Sequence, residues 1–192
     1  PAGRHPLFTV ETVAIGSELL TGEVLDTNTR WICTHVTGMG GGVERAHIVA
    51  DSTAEIAEVL RFCLRRRPSS IITCGGLRST ADDMTLFAVA SALNLEMVLH
   101  PKAKEWVRKR YEERAEAGAV DSAEMTLARE KMACLPAGAE PLPNRVGAVP
   151  GVRCPAEDCE IICLPGVPAE MRGVFEESLS PLWRKRLGAA GG

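Results

Sequence analysis

Apolar positions along the chain alternate between two rhythms. Short β-rich runs occur at Phe8 to Ile15, Gly42 to Val49, Ser69 to Cys74, Glu96 to His100 and Glu160 to Leu164. Helical spacing fills the gaps between them. It is clearest over Thr53 to Arg66, where Ile56, Val59, Leu60, Cys63 and Leu64 form one stripe after the capping candidate Ser52. Thr27 to Met39 repeats the device with Trp31, Ile32, Val36 and Met39, and Asp83 to Leu93 does so with Phe87, Ala90 and Leu93. Strand followed by helix, three times over, predicts parallel pairing, because parallel strands need crossover connections. Right-handed crossovers then give an α/β fold, a three-layer α/β/α sandwich with a mostly parallel sheet.

Two stretches leave this rhythm. A charged helix is predicted around Lys102 to Glu116, broken at Gly118, with a second helix opened by the capping box Asp121-Ser122-Ala123-Glu124. From Leu135 to Pro155, five prolines (136, 141, 143, 150 and 155) with Gly138, Asn144, Gly147 and Gly151 predict a long irregular loop. A last helix follows Pro165-Gly166-Val167-Pro168 and turns Met171, Val174, Phe175 and Leu179 toward the core. No internal repeat or linker interrupts the chain, so one domain over 1–192 is expected, with a helical excursion at about 101–131.

Composition narrows the class of partner. The 192 residues are 45% hydrophobic, and 22 Lys plus Arg stand against 25 Asp plus Glu, a formal charge of -3. Such a balance provides no broad basic field for nucleic acid or anionic lipid, so a small polar or phosphorylated ligand is expected. No apolar run is long enough for a membrane span, and residues 1–5 lead into the fold without a secretory core, which points to the cytoplasm. Cys33, Cys63 and Cys74 fall inside apolar patterns, and disulfides are not expected. Cys154, Cys159 and Cys163 match no zinc spacing.

In open parallel sheets ligands bind beyond the carboxyl ends of the strands, which directs attention to residues 16–28, 51–52, 75–83 and 165–170. The sharpest signal is Gly75-Gly76-Leu77-Arg78-Ser79-Thr80, a double-glycine turn between a strand and a helix. Glycines there allow close approach to backbone amides, and a helix start favours an anion. The segment lacks the Walker A and Rossmann spacings. Asp82 and Asp83 serve equally as first-turn capping residues or as chemistry; beside a bound phosphate they would require a divalent cation, Mg²⁺ or Co²⁺, between the charges. Asp51 is either a ligand or, by preference, the cap of the helix at Thr53. Glu18 either bonds loop amides or reaches the pocket. The run Arg65-Arg66-Arg67 reads as a solvated helix terminus, and the four histidines show no triad or metal spacing. No nucleophile is evident.

Taken together, Ala14-Ile15-Gly16-Ser17-Glu18-Leu19-Leu20-Thr21-Gly22, Asp26-Thr27-Asn28, the Asp51 turn, Gly75-Gly76-Leu77 with Thr80-x-Asp82-Asp83, Asn144-x-x-Gly147-x-x-Pro150-Gly151 and Leu164-Pro165-Gly166-Val167-Pro168-x-Glu170-Met171 resemble the amino-terminal domain of the CinA family. That domain belongs to the wider molybdenum-cofactor-biosynthesis superfamily of molybdopterin-binding, MoaB/Mog-like proteins. The resemblance implies a homo-oligomer, dimer or trimer, with a pocket for molybdopterin or a nucleotide diphosphate. It also implies divalent-metal-dependent pyrophosphatase activity of the ADP-ribose or FAD class. By position, Asp51 and Asp83 correspond to the acidic catalytic pair, with Asp82 as a further metal ligand. Gly75, Gly76 and Thr80 correspond to the phosphate turn. Gly16, Glu18, Gly22, Asn28, Asn144, Gly147, Gly166 and Pro168 correspond to the remaining binding motifs. Arg78-Ser79 replaces the family's Gly-Pro, so Arg78 either grips a phosphate or fills its place. The alternative to hydrolysis is a binding module without turnover.

Overall fold

A computed structural model describes residues 8–77 and 84–189. Its core is a six-stranded sheet in the order β2-β1-β3-β8-β7-β6. The strands are β1 (Thr9–Ile15), β2 (Gly42–Val49), β3 (Ser70–Cys74), β6 (Glu140–Leu142), β7 (Gly151–Ala156) and β8 (Cys159–Leu164). β2, β1, β3 and β8 run parallel, while β7 pairs antiparallel with β8 and β6 with β7. β3 is buried on every residue, as expected for a strand covered on both faces.

Alternation along the strands divides the core in two. Val13, Ile15, Ile71 and Ile161 face α3 (Thr53–Arg66), α4 (Met84–Leu93) and α5 (Pro101–Glu116), which supply Ile56, Leu60, Val89 and Val107. Val10, Ile72, Ile162 and Leu164 face α2 (Thr27–Gly38), α7 (Pro168–Val174) and α8 (Ser180–Ala189), which supply Ile32, Val36, Met171 and Trp183. The three-layer arrangement predicted from periodicity is thus the observed one. Trp183 Nε1 donates to Glu160 Oε1 at 3.0 Å, and Arg186 and Arg153 reach the same buried carboxylate at 2.8 and 2.7 Å. That network ties α8 to the sheet at the end where β8 begins.

Several local expectations are corrected. The run at Glu96 to His100 forms β4 (Met97–Leu99), which leaves the main sheet and pairs antiparallel with β5 (Cys134–Pro136). The segment Leu135 to Pro155 is therefore not one loop: β5, β6 and β7 occupy about half of it, and residues 137–139 and 143–150 remain irregular. The box at Asp121 opens no helix. Ser122 Oγ accepts from Glu124 N at 3.0 Å in a local turn, and α6 (Leu127–Lys131) begins later, capped by Thr126. Phe87, expected in the buried stripe of α4, is exposed, and Leu86, Ala88, Val89 and Ala90 are the residues that pack. α7 and α8 are joined by a π-helical turn, Phe175–Leu179, which keeps Phe175 and Leu179 in the core. Arg66 is not merely a solvated terminus: its Nε donates to the buried Glu11 carboxylate at 2.6 Å. Among the described residues no helix is long and apolar enough to cross a membrane.

Candidate functional site

The parallel strands deliver Gly16, Asp51, Gly75-Gly76 and Pro165-Gly166 to one end of the sheet. A cavity of about 120 Å³ opens there, walled by Ala14, Ile15, Glu18, Asp26, Thr27, Asn28, Cys74, Gly166 and Pro168 together with Leu19, Val24 and Leu25. Asn28, on the first turn of α2, is its most constrained polar side chain. Its Nδ2 donates to Gly166 O at 2.8 Å and lies 3.2 Å from Cys74 Sγ, while its buried Oδ1 has no partner. A buried acceptor left unpaired costs about 1–3 kcal/mol unless something donates to it. Cys74 donates to Pro165 O at 3.3 Å, and burial pushes its thiol up to about 12, so it stays neutral. Asp26 caps α2, its Oδ1 accepting from Thr29 N at 2.9 Å.

The short helix α1 (Ser17–Leu20) sits beside this wall. Asp51 Oδ2 accepts from Ser17 N at 2.9 Å, and Ser17 Oγ accepts from Asp51 N at 3.3 Å. Asp51 thus caps α1, and the expectation that it caps the helix at Thr53 is corrected: Ser52 Oγ takes that position, 3.5 Å from Glu55 N. The Glu18 carboxylate folds back over Gly16, where a side-chain carbon would meet Glu18 Oε1 at 2.6 Å. Gly22 forms an exposed turn that does not line the cavity.

The double glycine has a backbone reason to be glycine. Gly75 and Gly76 have φ of 105 and 68, and added Cβ atoms would lie 2.2 Å from Ile15 O and 2.1 Å from Thr85 Oγ1. Gly75 N donates to Leu164 O at 3.1 Å, so the reading in which both glycines expose their amides is corrected for Gly75. Gly166 packs against the same turn, its added Cβ falling 3.3 Å from Gly75 Cα. Arg78, Thr80, Asp82 and Asp83 lie outside the described residues.

Asn144 and Gly147 are placed elsewhere, in a larger groove of about 560 Å³ between α5 and residues 143–150. Asn144 Nδ2 donates to Val149 O at 2.8 Å and to Glu170 Oε2 at 2.7 Å, and its Oδ1 accepts from Val146 N and Gly147 N. These bonds hold the loop to the start of α7, and Gly147 leaves room for the Glu170 carboxylate. In this groove Arg145 pairs with Glu177 and Arg110 with Glu113, although Arg110 Nε is a buried donor without a partner. The strand-end cavity has an unpaired buried acceptor and lies beyond the carboxyl ends of the parallel strands, where such sheets bind ligands, and this makes it the better ligand site. Asp26, Thr27 and Cys74 complete its wall without having stood out as site residues; their adjacency to Asn28 and Gly75 was the available signal. Grouping of Cys154, Cys159 and Cys163 as a metal trio is not found among the described residues.

A doubly wound sheet with its cavity beyond the strand ends defines a ligand-binding α/β domain. The chain belongs to the family described as probable molybdopterin binding domain, whose profile matches residues 11–185. A protein of Aeropyrum pernix is 44% identical over 179 residues, covering 93% of this chain and 63% of its own length. One from Pyrococcus abyssi is 40% identical over 171 residues, covering 89% of this chain and 68% of its own. The chain thus spans about two thirds of the length of these relatives. Among solved structures, the CinA protein of Thermoplasma acidophilum, of unknown function, is similar with a TM-score of 0.79 and 30% identity over 88% of this chain and 94% of that one. The MoaB molybdopterin biosynthesis enzyme of Thermus thermophilus shares the fold at a TM-score of 0.60 and 23% identity, covering 95% and 96% of the two chains.

Proposed function

We propose that the strand-end corner binds a phosphorylated pterin or nucleotide and that, with a divalent cation, the chain hydrolyses a pyrophosphate linkage of the ADP-ribose or FAD class. The observation that carries the binding reading is Asn28 Oδ1, a buried acceptor without a partner on a cavity wall. A ring N–H, an amino group or a ribose hydroxyl would satisfy it; a pterin offers the first two and adenosine the last two. Family membership supports the same ligand class.

The donor chemistry fits a hard cation. Glu18, Asp26 and Asn28 Oδ1 on the cavity wall, and Asp51 beside it, present oxygen only, the ligand type of Mg²⁺. Among the described residues, Glu18, Asp26 and Asp51 do not converge as a trio by themselves; Asp51 with Asp82 and Asp83, as the family resemblance implies, would hold the ion, which when bound supplies charge neutralisation at phosphate and a more acidic water. The chain's own part is to orient the ligand through Asn28 and to seat its base or pterin among Leu19, Val24 and Pro168. A non-catalytic binding module is the second reading, favoured by two commitments: Asp51 is engaged in capping α1, and the Gly75 amide is engaged with Leu164.

Incubation with ADP-ribose and with FAD, in Mg²⁺ or Co²⁺ and again after chelation, separates the two. Metal-dependent release of AMP is expected, and Asp83→Asn is expected to lower the rate by about tenfold or more, equivalent to about 1.4 kcal/mol. Binding measured by calorimetry without AMP release under any metal condition would leave the binding module and reject the hydrolase. Asn28→Ala should weaken binding by about tenfold, the worth of one buried hydrogen bond; unchanged affinity would reject the site.

A further inference from the structure

At the opposite end of the sheet, Glu11 of β1 is completely buried, and three groups converge on its carboxylate. Arg66 Nε donates to Oε1 at 2.6 Å, His47 Nε2 lies 3.2 Å from Oε2, and Cys63 Sγ lies within 4.8 Å of the carboxylate. One carboxylate oxygen, one ring nitrogen and one sulfur therefore lie within 4.8 Å of one another, the sole such trio of His, Cys, Asp or Glu among the described residues.

The backbone aims these groups at each other. A register shift between Val10 and Glu11 pairs Val10 with Val43 but Glu11 with Arg45, leaving Glu44 as the extra residue of β2. Paired residues of neighbouring strands point to the same face. In unbroken register His47 would stand opposite Ala14 and face the other layer; with the bulge it stands opposite Val13, on the Glu11 face. α3 brings Cys63 and Arg66 to that face from above, three residues apart on one side of the helix.

We infer that Glu11 Oε2, His47 Nε2 and Cys63 Sγ form a binding site for a borderline divalent transition ion of the Zn²⁺ class, closed by a water that enters past His47. Sulfur, nitrogen and oxygen in one trio is the donor mix such ions prefer over Mg²⁺ or Ca²⁺. Tetrahedral binding would set the donors roughly 3.3–3.8 Å apart, so side-chain adjustments of about 1 Å complete the site. His47 keeps 20% of its side chain exposed, which provides the entry path. Arg66 stays on Oε1 and orients the carboxylate, the usual place of an outer partner.

Local charge agrees. Glu11 and Glu44 against Arg66, which reaches Glu44 at 3.5 Å, sum to one negative charge. Uptake of the ion with loss of the Cys63 proton to solvent brings the sum to zero, with no change of oxidation state. Burial and the neighbouring carboxylate push that thiol up to about 12.

The test uses Co²⁺ on metal-stripped protein, because a cobalt–thiolate bond gives a near-ultraviolet charge-transfer band, and Cys63→Ser tells this sulfur from Cys74 at the strand-end corner. Stoichiometric appearance of that band, its loss on adding Zn²⁺ and its absence in Cys63→Ser are expected. His47→Ala, on a partly exposed edge strand, should lower Co²⁺ affinity by about tenfold or more, the scale of losing a metal-site residue, even if Cys63→Ser fails to fold. No thiolate band in the wild-type protein, a band retained in Cys63→Ser, or unchanged affinity in His47→Ala would each overturn the site. AMP release is not involved, so failure here leaves the strand-end proposal standing.

Discussion

Glu11 shows how much one side chain can differ from what its neighbours suggest. Burial raises its carboxyl pKa, but the bonds from Arg66, Cys63 and His47 outweigh that and hold it below the ordinary glutamate value. The ionised form is thus favoured by folding. Its stabilising contribution is complete above the unfolded glutamate range and is lost as pH falls through the lower folded value. In metal-free buffer, Glu11→Gln should cost about 2–3 kcal/mol at neutral pH, since Arg66 loses its ionic partner in a buried site. Urea denaturation over a pH series should show that cost shrinking only in acid; a constant difference would mean the carboxylate is not charged in the fold. A second residue-scale case is Gly76. An alanine there combines a positive φ with a 2.1 Å approach to Thr85 Oγ1, and Gly76→Ala should lose about 2 kcal/mol or more in the same measurement. The glycine pair was legible as a turn. That its open space is filled by Ile15 O and Thr85, with Gly75 N already bonded, was not, because both partners come from other elements.

Among elements, the joint between residues 143–150 and α7 is the clearest case of two separate sequence signals proving to be one structure. Asn144 with Gly147 and the segment Pro165 to Glu170 read as two binding motifs, yet Glu170 sits against both. Glu170→Ala should cost about 1–2 kcal/mol through the lost charged hydrogen bond, and Gly147→Ala a comparable amount by displacing the same carboxylate. In the double variant the two costs should fail to add, with coupling of at least about 0.5 kcal/mol; strict additivity would refute the shared contact. The strand at Met97–Leu99 shows the opposite limit. Its composition announces an extended run, but nothing within it reveals that its partner lies at Cys134–Pro136, outside the parallel sheet. Likewise the Asp121 box has the pattern of a helix start, and the backbone instead turns there while Thr126 caps α6.

For the molecule as a whole, buried area is unevenly distributed. β1, β3 and β8 are covered by helices on both faces, whereas α6 buries none of its residues and β4 with β5 forms a sheet of two strands. Hydrogen exchange should therefore be slowest in β1, β3 and β8, at the global unfolding free energy, and fastest within 117–131. Comparable protection in both regions would contradict this division. Ligand at the strand-end corner should add protection to α1 and the start of α2, which wall the cavity, and to β8 less.

Periodicity alone determined the layers: parallel strands alternating with helices that carry one apolar stripe can bury those stripes only by covering a sheet on both faces. The positions of the longer helices, the Ser52 cap of α3 and the end of the sheet that carries the cavity follow from that local information. Tertiary structure decided the rest, and for one reason. Which polar group meets which depends on register and on the approach of segments distant in the chain, as with Arg66 on Glu11, Asn28 on Gly166 and the single bulged residue that turns His47 to the face of Glu11 and Cys63. No spacing within a segment encodes a meeting between segments.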